Sequence, residues 1–339
     1  MSESFSHSAV GTSNGKQDQR GLKGLFTPAE IANVTARSDL MGAWVLFGNW
    51  LAIAACFWAM AHFDSVWVYV LGTCLIAGRQ LGLGILQHEG AHGTLFKTRW
   101  LNDVLTDWLC ARPVWQHLHK YRKHHIKHHT NTGLDADPDI SLHAEFPVSK
   151  FSMTRKLLRD VSGLTGLKTM VALLMMDLGL IEWTVANKAH HISQRGRPWW
   201  DYPRSLLRNI YGMLITNAAL FSVLYASGHP ELYAFWVLAF LTALPLFIRI
   251  RSIAEHGCMQ RGPNVLTNTR TTRANWLARI TVAPHHVNFH KEHHLMASVP
   301  CYRLPQLHTL LRKKGLVNEP ESYWDVIKLA SGKPVNGAA

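Results

Sequence analysis

The sequence concentrates imidazole in two stretches: of its 21 histidines, eight lie between His88 and His129 and six between His256 and His294. Three short runs stand out by spacing. HEGAH, His88 to His92, has histidines at i and i+4, while HIKHH, His125 to His129, and HKEHH, His290 to His294, have them at i, i+3 and i+4. On a helix these offsets place side chains on one face. His88 and His92 can therefore close on one metal, and the triplets His125, His128, His129 and His290, His293, His294 each offer imidazole from one face. One such run is common enough in a chain this rich in histidine; the set of three is not. Zinc is the alternative for any single run. Together, with no cysteine ligand nearby, these imidazoles exceed the three or four protein ligands that zinc takes. They suit a two-metal centre, and nitrogen-rich sites with open positions belong to non-haem iron and oxygen.

The other histidines read differently. His117, His119 and His124 sit beside Lys120 and Lys123 as interface residues, and His285 and His286 read as structural or supporting groups. His7, His62, His143, His190, His191, His229 and His308 have no company at ligand spacing.

The elements that hold these runs are apolar. Residues 40–63 and 209–230 carry no charged side chain, 65–87 carries only Arg79, and 232–250 is uncharged up to Arg249. A helix needs about 20 apolar residues to cross the hydrocarbon of a bilayer. The pattern predicts an all-α integral membrane protein of four transmembrane helices in two hairpins, with both arginines near span ends where their stems reach the interface. Thr169 to Ile181 is too short to span and reads as an amphipathic helix lying at the interface, with a buried re-entrant hairpin as the alternative. Trp199, Trp200 and Tyr202 among arginines read as an interface anchor before the third span. Leu307 to Gly315 reads as a basic amphipathic helix ending at a glycine cap.

The links between paired spans carry no Lys or Arg, whereas the N-terminal tail, the middle segment and the C-terminal segment hold nearly all of them. The positive-inside rule then places both termini and the histidine runs in the cytoplasm, as a helical cap on the membrane domain. A polar tail over 1–39 with no early apolar core predicts no cleaved signal peptide; within it Thr27 to Glu30 has capping-box spacing with Pro at the first helical position. Residues 40–314 form the membrane-embedded domain and 315–339 a C-terminal tail. Five scattered cysteines indicate no disulfide framework, as expected of a reducing compartment. The net charge of +13 suits anionic lipid headgroups or an acidic protein carrier, or serves only to fix topology; no nucleic-acid partner is expected. A metal transporter would place ionisable residues at mid-membrane, and these spans are nearly free of them. A metal-dependent scaffold would need fewer ligands.

HEGAH, HIKHH and HKEHH, in this order and alternating with paired spans, resemble the three histidine boxes of the membrane-bound fatty acid desaturase and hydroxylase superfamily. YRKHHIKHHTNTGLDADPD resembles the second-box region, and HKEHHLMASVPCYRLPQLH the third. RSIAEHG, Arg251 to Gly257, resembles the extra histidine site after the last span. The EHG site and the stretch Thr269 to Thr271 look most like a bacterial subgroup that includes acyl-lipid desaturases and an enzyme acting on an amino-acid-derived natural product; carotenoid ketolases share similar boxes. His124 departs from the pattern, leaving His124 and His125 as alternatives at one position, with the spacing on the side of His125.

The resemblance implies a di-iron centre that uses dioxygen to desaturate, or alternatively hydroxylate, a fatty acyl chain. Its iron ligands would be His88, His92, His125, His128, His129, His256, His290, His293 and His294. Imidazole ligands need acceptors that fix their tautomer. Glu89, Asp135, Asp137, Asp139, Glu255 and Glu292 are candidates, with Asp137 and Glu255 foremost. Two electrons per turnover would come from a separate donor such as a ferredoxin and its reductase. The substrate would be a fatty acyl lipid or a chain on an acyl carrier, met at the cell's inner membrane.

Overall fold

The computed structural model describes residues 24–332. The first part of the polar tail with His7, and residues 333–339, lie outside the described residues. The chain is mostly helical, with four helices long and apolar enough to cross a membrane. Helix α1, Pro28–Thr35, opens with the expected capping box, in which Thr27 Oγ1 accepts from the Glu30 amide and the Thr27 amide donates to Glu30. Helix α2, Asp39–His62, is capped by Ser38 and runs antiparallel to α3, Val66–His92, through the short link at Asp64. Gly42, Leu46, Asn49, Ile53, Phe57 and Met60 of α2 are buried at i, i+3 and i+4 steps. On its other side Leu40, Trp44, Phe47, Leu51 and Trp58 are exposed, an apolar face of the kind that meets lipid.

Two span readings need correction. Helix α3 continues to His92, so Arg79 sits in its middle rather than near its end. Its guanidinium does not reach for an interface; it donates to the carbonyls of Arg279 and Ile280, each at 3.1 Å, at the C-terminal end of a short helix, where a cation is favourably placed. Beyond Arg79 nearly every residue of α3 is enclosed by protein. The fourth candidate span, Pro230–His256, is kinked at Thr242, which divides its α-helical part into α10, Tyr233–Leu241, and α11, Ala243–His256. Pro245 cannot donate to the Leu241 carbonyl and crowds it, which breaks the helix. Helix α8, Leu164–Asp177, packs on that break through Gly166, where a Cβ would fall 2.2 Å from the Leu241 oxygen. Arg249 on α11 also lacks the expected interfacial role. It pairs with fully buried Asp160, with Nη2 donating to Oδ1 at 3.0 Å.

Between the second and third spans come α4, Arg99–Thr106, α5, Leu118–Asn131, α6, Ile140–His143, α7, Lys150–Val161, and α8, Leu164–Asp177. Helix α8 begins earlier than the sequence pattern predicts and exposes Leu164, Leu167, Val171 and Leu174 while burying Leu173, Met176 and Asp177. Asp177 is satisfied by Trp115 Nε1 at 2.9 Å. Trp199 and Trp200 are exposed just ahead of the third span, α9, Asp201–Ala226. After α11 follow α12, Val265–Asn268, α13, Trp276–Ile280, α14, His290–Leu295, α15, Leu304–Lys313, and α16, Tyr323–Ala330. Helix α15 buries Leu304, Leu307 and Leu311 and is followed by Gly315 at φ 68°, a left-handed stop that suits glycine. Past residue 314 the chain pairs Thr272 with Glu321 in a two-stranded parallel bridge. Helix α16 then buries Val326 and Ala330 beside Phe146, Met153 and Ile253.

Candidate metal centre

Four helices deliver the imidazoles. His88 and His92 occupy the last turns of α3, which stops at left-handed Gly93; His256 is the last residue of α11; α5 and α14 carry the triplets. The nine rings fall into two groups. The ligand atoms of His88, His92, His125, His129 and His293 lie within 4.8 Å of one another, as do those of His128, His256, His290 and His294. The helical offsets explain the division. Each i, i+4 pair (His88 with His92, His125 with His129, His290 with His294) serves one group, and the i+3 residue between, His128 or His293, crosses to the other. The groups adjoin, with the His129 and His294 rings stacked at 4.1 Å.

The donor set fits metal ions. Nε2 of His125 lies 2.9 Å from Nε2 of His92 and 3.0 Å from that of His129, which is itself 3.0 Å from that of His293. In the second group Nε2 of His290 and His256 are 2.8 Å apart. A neutral imidazole nitrogen either donates one hydrogen or accepts, so His125 cannot satisfy both neighbours with the one hydrogen it has. His88 Nε2 and His294 Nε2 are buried with no hydrogen-bond partner. Converging lone pairs of this kind call for a cation. Burial, then the neighbouring imidazoles, holds His125, His129, His293 and His294 well below the usual histidine range, which leaves their lone pairs free. His128 is the exception: burial pulls it down, but Asp137 and the nearby carboxylates outweigh that and raise it.

One carboxylate directs a ring by a hydrogen bond, and two others lie near ring nitrogens that have no hydrogen-bond partner. His128 Nδ1 donates to Asp137 Oδ1 at 2.8 Å, and Asp137 is itself fixed by the Asp139 amide at 2.9 Å. Glu255 lies 3.4 Å from His290 Nδ1 and accepts from Arg251 Nε at 2.6 Å. Glu89 is 3.4 Å from His88 Nδ1 and accepts from Thr94 and from the Cys301 amide. The other acidic candidates are placed differently. Asp139 takes the His124 ring at 2.6 Å, which leaves His125 as the residue facing the centre. Glu292 accepts from His308 Nδ1 and Thr271, a use for both that spacing did not reveal. Asp135 is on the surface, paired with Arg261. Asp137→Asn keeps the shape and an oxygen that can accept from His128, but loses the charge that strengthens this hydrogen bond. It is expected to lower metal affinity or turnover by about 10–100-fold, measured as metal retained after dialysis against a chelator.

His117 and His124 are buried against Asp177 and Asp139 rather than lying at an interface. Other contributors gave little sequence signal. His143 stacks on His256 at 4.9 Å and Tyr121 on His125 at 5.2 Å. Asn49, a lone amide in an apolar span and so a clue in hindsight, accepts from His285 Nε2 at 3.1 Å. Gly82 makes room for this pair, since a Cβ there would fall 2.4 Å from Asn49 Oδ1. His285 and His286 have φ of 53° and 62°, a left-handed backbone that costs energy in any residue but glycine and clusters at functional sites.

Residues 64–324 match a family model described as fatty acid desaturase. Dihydrorhizobitoxine desaturase of Bradyrhizobium elkanii is 27% identical over 273 residues, covering 78% of this chain and 74% of that protein.

Proposed function

This chain belongs to the fatty acid desaturase family, an oxidoreductase of the desaturase type, and from that premise we propose an oxygen-dependent di-iron enzyme that introduces a double bond into a fatty acyl chain. The observation that carries the metal assignment is the division of nine imidazoles, seven buried and two half-buried, into groups of five and four. His88, His92, His125, His129 and His293 would hold one iron and His128, His256, His290 and His294 the other. Two bound iron ions would supply the activation of dioxygen needed to remove hydrogen from an unactivated C–H bond. The protein's part is to hold the rings together, aim His128 through Asp137 while Glu255 and Glu89 lie near His290 and His88, and exclude water. Exclusion is supported by the small cavity against His88, His290 and His293, about 10 Å³, barely the room one water needs.

Placement follows from charge and hydropathy. The four apolar helices would lie in the inner membrane with termini and metal centre in the cytoplasm, and α4 to α8 and α12 to α16 would form the cap. Electrons would come from an external carrier such as a ferredoxin with its reductase, attracted by the +13 net charge. A second reading, desaturation of a small amino-acid-derived product, is favoured by the name of the Bradyrhizobium relative; a hydroxylase or ketolase outcome uses the same centre.

The test is metal analysis of purified protein with lipid and metabolite profiles of cells with and without it. About two irons per chain and a new unsaturated acyl species are expected. One zinc per chain with unchanged profiles would overturn the assignment, and two irons with a new amino-acid-derived product would select the second reading.

A further inference from the structure

A cleft of about 320 Å³ opens beside the metal centre, with Met41, Trp44 and Val45 of α2 on one wall and Arg279, Ala283 and His285 among the residues opposite. His285 and Cys301 line it and also line the small cavity against His88, His290 and His293, so the two spaces share walls. Met41 and Trp44 are exposed on the apolar face of α2, which puts the mouth on the side that meets lipid. No Asp or Glu lines the cleft. Arg279 has no carboxylate partner among the described residues; its Nε reaches only the Ala274 carbonyl, at 3.4 Å.

We propose that this cleft is the substrate site and that it takes a short aliphatic chain ending in a free carboxylate, with the carboxylate on Arg279 and the chain running past Val45 and Ala283 toward His285. The inference rests on the desaturase reading and names its substrate class. A guanidinium offers a planar fork that matches a carboxylate bidentately. A carboxylate entering a partly apolar cleft gains from such a countercharge, which offsets part of its lost hydration. The volume is at the low end of the roughly 300–1,000 Å³ of small-molecule sites, which favours a short chain over a full-length membrane acyl chain. A free fatty acid and an amino acid both present this carboxylate, and the chemistry they share is what Arg279 recognises.

The experiment measures binding, not turnover, on the full chain in lipid nanodiscs, with empty nanodiscs subtracted. Octanoate, 2-aminooctanoate, octanol and stearate are titrated by calorimetry. Octanoate or 2-aminooctanoate, whichever binds more tightly, is expected to lose at least tenfold in affinity in Arg279→Gln, while octanol is unchanged. Val45→Trp, which fills the cleft, should weaken all short ligands. A preference for octanoate identifies a fatty acid source, and for 2-aminooctanoate an amino acid source. Equal effects of Arg279→Gln on octanoate and octanol, or no effect on either, would overturn the carboxylate assignment. Stearate binding more tightly than octanoate and insensitive to Val45→Trp would overturn the short chain. Failure of the desaturase reading would appear separately, as absent iron or absent product with these affinities intact.

Discussion

His293→Ala is expected to abolish turnover and to remove about one iron per chain while the helical content stays unchanged. His293 is buried on α14, and its Nε2 lies 3.0 Å from that of His129. Its ring sits 4.4 Å from that of His88 and 4.8 Å from that of His92. It is the one residue of α14 that crosses to the group fed by α3 and α5, so no neighbour on its own helix can replace it. The four donors of the second group are untouched, hence the loss of one ion rather than two. Losing a residue that only orients a ligand costs about 10–100-fold; losing the ligand itself should exceed that, since chemistry that uses two metals stops when one site empties. Iron per chain by plasma emission, circular dichroism and product assay are measured together, with exposed His190→Ala as a control expected to keep both iron and activity. Full iron and normal turnover in His293→Ala would sink the assignment.

The site was more legible than the fold that carries it. Spacing named the imidazoles of the three runs, the likeness added His256, and the structure brings those nine together because i and i+4 positions on rigid helices stay neighbours whatever surrounds them. The division into groups of five and four was not legible. It depends on how α5 and α14 are rotated against each other, and residues more than 160 positions apart in sequence meet there, as His129 and His293 do. Hydropathy located all four long helices but misjudged both arginines. Composition marks how apolar a stretch is, not whether its polar exception finds a partner in a distant segment. Arg79 finds carbonyls at residues 279 and 280, and Arg249 finds Asp160. For the same reason His308 and His143 carried no signal, being placed by tertiary contacts alone, and the likeness that marked Thr269 to Thr271 did not reveal that Thr271 meets Glu292.

The Arg249–Asp160 pair has the largest expected effect on stability. Asp160 is fully buried at the end of α7, accepts from Thr165 Oγ1 at 2.6 Å, and meets a guanidinium that is only 14% exposed. Removing one member of such a pair leaves a largely buried charge without compensation, at a cost of about 3–5 kcal/mol. Asp160→Ala should therefore lower the thermal midpoint of the detergent-solubilised protein far more than a surface substitution, which changes stability by about 0.5 kcal/mol or less. Replacing both members, as Asp160→Leu with Arg249→Met, removes the stranded charge and should restore most of the loss, so the pair couples strongly in a double-mutant cycle. The consequence reaches the metal centre. Arg249 lies two turns before His256 on the same helix, and the pair ties α7 to α11 just beyond the Thr242 break. With that tie cut, α11 pivots more freely at the break, and iron held by the group containing His256 should be lost before iron held by the other. Differential iron retention in Asp160→Ala, restored in the double variant, is the measurement; an unchanged midpoint with full iron would show that the tie does not hold α11 in place.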